Sequence, residues 1–245
     1  MEIQSNVYKQ IIKSEIDYIF LNSILKNELW EKHIVSKISD LLEDETDFID
    51  VGANIGLITL GVNLNINNKK INIHCFECDS NNFTNLKFNT KNHNNIKIYN
   101  FGLGDNFSLG NMSINRYNNG CSYIKNCYSK DESKELNYNC FKESDLENNT
   151  IQHDNYFAIV KLDDIRYMFK NRVSVIKIDV EGYEKQVLVG AKKFIEEHKP
   201  YIFIEIFIEL HEEIFYFILN ELNYELVENI KIDNEISIDY LFKPK

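Results

Sequence analysis

The chain has 245 residues, 44% of them hydrophobic and 13% aromatic, with 2 Pro and 9 Gly, which excludes wholesale disorder and collagen-like or low-complexity classes. A balance of 27 Lys+Arg against 38 Asp+Glu leaves a formal charge of −11, a field that repels phosphate backbones, so no nucleic-acid partner is expected. With no run of 18 apolar residues, no basic-then-apolar leader and 5 cysteines that do not pair off, the sequence predicts a soluble cytoplasmic protein with no membrane span.

Residues 1–44 read as an N-terminal helical segment packed on a core domain of residues 45–245. Ile12, Ile16, Ile19, Phe20, Leu25, Leu29, Trp30, Ile34, Ile38, Leu41 and Leu42 keep a three-to-four spacing, which predicts helix over 7–42 with a break near Asn22, Ser23 and Asn27. The apolar run Phe48–Val51 stops at Gly52 and suits a buried strand; helix resumes over 57–64. The alternation continues as strand 71–76, helix 81–92, strand 96–101, strand 173–178, helix 183–197, strand 201–208 and helix 211–222. Strands over 224–229 and 236–242 close the chain around a polar turn at Asp233-Asn234. Strands alternating with helices imply an α/β fold with a mainly parallel sheet, and the last pair an antiparallel edge hairpin. Residues 106–160, rich in Asn, Tyr and Ser, interrupt the alternation as an insertion.

Two motifs carry chemistry. FIDVGANIG (48–56) joins a strand to a helix, and Gly52 supplies a tight turn that lets a ligand approach the backbone. Asn54 and Leu57 stand where a dinucleotide fingerprint needs glycines, and no Gly-Lys-Ser/Thr follows, so this is a nucleotide-type turn without a pyrophosphate signature. Glu77 ends the second strand, where a carboxylate can accept hydrogen bonds from both ribose hydroxyls of an adenosine; Glu77 or Asp79 also reads as a cap for the helix that follows. Cys75 and Cys78 form a C-x-x-C without a second pair, and read as two buried thiols.

FIDVGANIG, HCFECDSNNFTNLKFN (74–89), NFGLGD (100–105), LDDI (162–165), VIKIDVEGYEKQVLVGA (175–191) and YIFIEI (201–206) occur in that order. Together they resemble the FkbM family of S-adenosylmethionine-dependent methyltransferases over roughly residues 45–210. The family usually has Pro where Cys78 stands. The resemblance implies a Rossmann-like class I methyltransferase sheet, with S-adenosylmethionine at the carboxyl ends of the strands. Asp50, Gly52, Asn54 and Gly56 would lie along its methionine half, Glu77 would hold the ribose and Asp105 would face the adenine edge. Asp179 and Glu181 would then serve the acceptor side, Asp179 foremost, with Glu181 also reading as a helix cap before Gly182. Asp179, Glu205 and His211 are candidate ligands of a divalent metal. The family favours oxygen methylation, and the expected acceptor is a hydroxyl of a sugar, glycan or other small molecule. Tyr117, Tyr123 and Tyr128 are available to stack on a ring, and Asn118 and Asn119 to bind its hydroxyls. A protein of this fold that binds the cofactor without turnover, as an assembly module, is the alternative.

Overall fold

The computed structural model describes residues 1–14, 18–66, 68–115, 123–125, 150–151, 156–230 and 237–245. The chain opens with a hairpin, β1 (Glu2–Ser5) and β2 (Gln10–Lys13), followed by helices α1 (Tyr18–Leu25) and α2 (Lys32–Leu41). The helix expected over 7–42 therefore begins too early. In β2, Ile12 is buried while Ile11 is 45% exposed, an alternation of period two. A distant partner secures it: Asn89 accepts the Lys13 N–H at 2.7 Å and donates to the Lys13 carbonyl at 3.0 Å. The three-to-four apolar spacing ran across two different elements, and a side chain 76 positions away decided the first.

The core follows as β3 (Asp47–Val51), α3 (Leu57–Asn65), β4 (Asn72–Phe76), α4 (Ser80–Thr90), β5 (Ile96–Tyr99) and β6 (Gly102–Leu103). After four more strands come α5 (Leu162–Ile165), β11 (Val173–Ile178), α6 (Glu184–Gly190), α7 (Lys192–His198), β12 (Tyr201–Phe207) and α8 (His211–Tyr216). Last are β13 (Tyr224–Ile230) and β14 (Ser237–Pro244). Seven strands form the central sheet in the order β13-β14-β12-β11-β3-β4-β5. Only β14 runs against its neighbours; the other pairings are parallel. This is the mainly parallel sheet with a reversed C-terminal strand that the sequence predicts. The chain builds β3, β4 and β5 outward to one side, then returns to β11 on the other, so β3 and β11 flank the switch point where open α/β sheets bind ligands.

Helix α3 buries two faces. Ile58 and Val62 pack with Ile34, Val35 and Ile38 of α2 over the sheet, while Leu57 and Leu60 pack on Tyr8, Ile12 and Ile24. The insertion contains a small sheet in the order β6-β10-β7-β8, with β7 at Ser108–Asn115, β8 at Tyr123–Lys125 and β10 at Tyr156–Val160; β9 (Thr150–Ile151) also pairs β7. β7 and β8 pair antiparallel, while Tyr117, Asn118, Asn119 and Tyr128 lie outside the described residues. Phe157 and Ile159 of β10 pack on Cys78 and Tyr183, which sets the small sheet beside the carboxyl ends of the large one. Among the described residues no helix is long and apolar enough to cross a membrane.

The helix expected over 183–197 divides into α6 and α7 at Ala191. Gly190 ends α6 against the backbone of the 102–105 turn, and a Cβ there would fall 1.8 Å from the Gly104 carbonyl oxygen. Helix propensity alone favours Gly→Ala by up to about 1 kcal/mol. The contact reverses that sign: Gly190→Ala is expected to destabilise by about 2–3 kcal/mol, read as a lower urea midpoint at unchanged slope.

Candidate functional site

Asp50 lies in the central strand β3 and is 1% exposed. The Thr59 hydroxyl donates to its Oδ2 at 2.6 Å, while Oδ1 has no hydrogen-bond partner. Across the sheet, Lys177 of β11 is its register partner, with Nζ 3.8 Å from Oδ1. Burial pushes the Asp50 carboxyl upward, and the Lys177 charge only partly offsets it.

The turn after β3 curls through three left-handed residues, Gly52 (φ 78°), Asn54 (φ 52°) and Gly56 (φ 87°). Gly52 is required twice. Its N–H and that of Ala53 both donate to the Phe76 carbonyl at 3.0 Å, and a Cβ on Gly52 would fall 1.8 Å from the Asp179 carbonyl oxygen. The Asn54 N–H donates to Glu77 Oε2 at 2.8 Å, so this amide ties the turn to β4 instead of pointing at solvent. The Asn54 side-chain oxygen is buried without a partner.

Glu77 follows β4 and is 7% exposed. Besides Asn54, its carboxylate accepts the Asp79 N–H at 2.8 Å, so both oxygens are oriented by backbone. Burial pushes its carboxyl up to about 7. The capping role belongs to Asp79 alone, which accepts the N–H groups of Asn81 and Asn82 at the start of α4. Asp105 lies half-buried past β6 and accepts a hydrogen bond from Asn106 Nδ2 at 2.8 Å.

Three carboxylates gather where β11 and β12 end. Asp179, Glu181 and Glu205 each offer an oxygen within 4.8 Å of the others. Lys177 Nζ lies 2.8 Å from Asp179 Oδ2. Burial opposes the Asp179 charge, but Lys177 and a hydrogen bond from Glu205 hold its carboxyl below the ordinary range. Burial and the Asp179 charge push Glu181 far up, and together with Glu181 they push Glu205 up to about 11. Asp179 is thus the member held toward its ionised form, while Glu205 holds a proton at neutral pH. Only once deprotonated does an all-oxygen set of this kind suit a hard divalent cation such as Mg²⁺. His211 stands apart from the trio: its ring stacks on Phe215 with centroids 3.9 Å apart and tilts against Tyr240.

Sequence reasoning passed over two charged residues here. Lys177 is 5% exposed and is the one charged residue of its buried strand, and that lone charge was the available signal. Burial disfavours its ammonium, yet Asp179 and Asp50 hold it firmly charged. Glu184, 1% exposed, accepts the N–H groups of Val180 at 3.2 Å and Gly182 at 3.0 Å. It therefore holds the turn that leads into α6, where Glu181, in the left-handed region at φ 54°, was read as the helix cap. Burial pushes Glu184 up to about 7.

The model of the methyltransferase FkbM domain matches residues 50–231. Methyltransferase FkbM from Methylobacillus flagellatus KT superposes with a TM-score of 0.50 at 21% identity, over 91% of this chain and 53% of that one. This chain thus spans about half the length of that protein. Aeropyrum pernix fibrillarin, solved with natively bound S-adenosyl-L-methionine, gives a TM-score of 0.49 at 9% identity, over 86% of this chain and 74% of that one. At 21% identity the likeness to the Methylobacillus flagellatus protein shows the fold alone. Comparison with curated protein sequences finds no match.

Glu77 and Glu184 make stability depend on pH. Each carboxyl stands at about 7 in the folded chain against an ordinary 4.5, so the folded state keeps protons that the unfolded state releases. Stability is expected to fall as pH rises from about 4.5 to about 7, by about 3 kcal/mol per group. Urea denaturation at pH ~5 and ~7.5 checks the sign, and Glu184→Gln is expected to remove that residue's share of the drop.

Proposed function

This chain belongs to the FkbM methyltransferase family, and from that premise we propose that it is an S-adenosylmethionine-dependent O-methyltransferase acting on a hydroxyl of a sugar, glycan or other small molecule. The observation that carries the proposal is the meeting, at the switch point of the sheet, of the 52–56 turn and Glu77 with the Asp179–Glu181–Glu205 trio. The first pair has the chemistry to hold an adenosyl cofactor, and the trio has the chemistry to take a proton from an acceptor.

The residues fit the cofactor in their unused polar atoms. Asp50 Oδ1, 3.8 Å from Lys177 Nζ, and Asn54 Oδ1 are buried without hydrogen-bond partners beside the first turn and suit its amino-acid end, along a backbone that Gly52 and Gly56 bend through the left-handed region. Glu77, oriented by two N–H donors, keeps lone pairs for the two ribose hydroxyls. Asp105, past β6, serves as acceptor for the adenine amine. When bound, S-adenosylmethionine supplies a methyl group on a sulfonium.

Asp179 acts on the acceptor. Held ionised by Lys177, it accepts a hydrogen bond from the acceptor hydroxyl, orients the oxygen for in-line attack and receives the proton as the methyl ether forms. Glu205, protonated at neutral pH, donates a hydrogen bond to Asp179, and Glu181 stands beside them at the acceptor side. Deprotonated, the same trio would hold a divalent cation, which would acidify the hydroxyl.

Calorimetric titration with S-adenosylhomocysteine tests the cofactor half. Micromolar binding is expected, weakened about tenfold or more by Glu77→Ala, ~1.4 kcal/mol. Because ribose hydroxyls need the ionised carboxylate, wild-type affinity is expected to rise between about pH 6 and pH 8, through the Glu77 value of about 7. Asp179→Asn is expected to retain S-adenosylhomocysteine binding and to lose about 10²–10⁴ in turnover on a panel of hydroxylated acceptors. Binding without turnover on any acceptor, with and without Mg²⁺, would favour the non-catalytic module instead.

A further inference from the structure

At the amino ends of the central strands the surface opens into a cavity of about 710 Å³, a size that admits a small molecule. It lies where the single turn Arg166–Met168 leads into β11 and where α7 ends at His198. The length of β11, about 20 Å, separates it from the carboxyl ends that carry the candidate cofactor site.

The floor of this cavity is preformed. The Phe169 ring is 8% exposed, tilts on buried His74 with centroids 4.6 Å apart and meets Phe194 edge-on at 5.0 Å. Asn171 Nδ2 donates to Asp47, the first residue of β3, at 3.0 Å. His198 Nδ1 accepts the Val173 N–H at 3.0 Å, which leaves Nε2 of the neutral ring as a donor.

The rim is rich in cations, although the chain carries a formal charge of −11. Arg166, Lys170 and Arg172 all line the cavity, and all are exposed. Arg166 is steadied by donating to the Asp163 carbonyl at 2.8 Å, and Arg172 by the His198 carbonyl at 3.4 Å and an ion pair with Glu43. Lys170 has no hydrogen bond or ion pair among the described residues. Two oriented guanidiniums and an unpaired ammonium suit a dianionic phosphate. Asp164 and Glu197 line the cavity too, and among the described residues neither pairs with these cations. Their charges repel a bare anion, yet they accept hydrogen bonds from hydroxyls. Tyr167, 79% exposed, offers a ring face at the mouth.

We infer that this cavity binds a phosphate monoester of a hydroxylated ring, a sugar phosphate or a nucleotide. Arg166, Lys170 and Arg172 take the phosphate, Asp164 and Glu197 the hydroxyls, and Tyr167 the face of the ring. The site needs no cofactor at the other end of the sheet.

Calorimetric titration of the full chain with inorganic phosphate, ribose 5-phosphate and AMP tests the assignment. Ribose 5-phosphate is expected to bind about tenfold or more tightly than inorganic phosphate. Arg166→Glu and Lys170→Glu, at exposed positions, are expected to melt with wild type and to weaken ribose 5-phosphate about tenfold or more. AMP bound at least as tightly, and weakened about tenfold by Tyr167→Ala, would identify a nucleotide site. AMP bound more weakly than ribose 5-phosphate, or indifferent to Tyr167→Ala, would identify a sugar-phosphate site. Equal affinity for ribose 5-phosphate and inorganic phosphate would mean an adventitious ion only. That result, no binding of ribose 5-phosphate, or binding undiminished by both charge reversals would overturn the inference.

Discussion

One buried ammonium lies between the two strands that flank the switch point. Lys177 Nζ is 2.8 Å from Asp179 and 3.8 Å from Asp50, with all three side chains drawn from β3 and from β11 and its end. A lone buried carboxylate in this setting would take up a proton; a lone buried lysine would lose one. Together they keep charge at a place where burial alone would remove it. Loss of either partner would leave an uncompensated charge in the interior, which costs far more than the net worth of the pair. The arrangement is costly to assemble and gives little stability in return, so its value lies in what it holds ready at the strand ends.

Around that array the acidic groups outnumber the basic. Glu77, Glu181, Glu184 and Glu205 all have carboxyls raised by burial, and Asp179 adds its repulsion to the last three. Backbone N–H groups orient Glu77 and Glu184 without neutralising them. A site built this way exchanges folding stability for polar groups already aimed, the usual trade where chemistry is done.

The parts legible in the sequence are those governed by local pattern. The run Phe48–Val51 reads as a buried strand because every residue of β3 is enclosed, and the stop at Gly52 is visible because the turn tolerates no side chain there. The reversed last strand follows from two short apolar runs around a polar turn. What the pattern misses depends on distant partners. The first hairpin takes its identity from Asn89, and the break at Ala191 from the Gly104 carbonyl pressed against Gly190. Glu184 and Lys177 look like an ordinary helix residue and a stray charge until the turn at 180–182 and the register with Asp50 are known. His211 shows the converse: a histidine placed well in sequence beside Glu205 gives its ring to Phe215 instead.

Glycine contacts govern how far apart the charges sit. Gly52 lets β3's turn touch the Asp179 carbonyl, Gly190 lets α6 touch the 102–105 turn, and Gly104 lets that turn touch Ile159 and Tyr183. Three connections that are remote in sequence thus meet backbone against backbone, or backbone against ring, with no side chain between them. Interiors packed this closely transmit displacement, because no free volume absorbs it. A methyl group at Gly52 would push the Asp179 backbone away from β3 and lengthen the distances to Lys177 and Asp50. The charge array therefore depends on three missing side chains as much as on Asp50, Lys177 and Asp179 themselves.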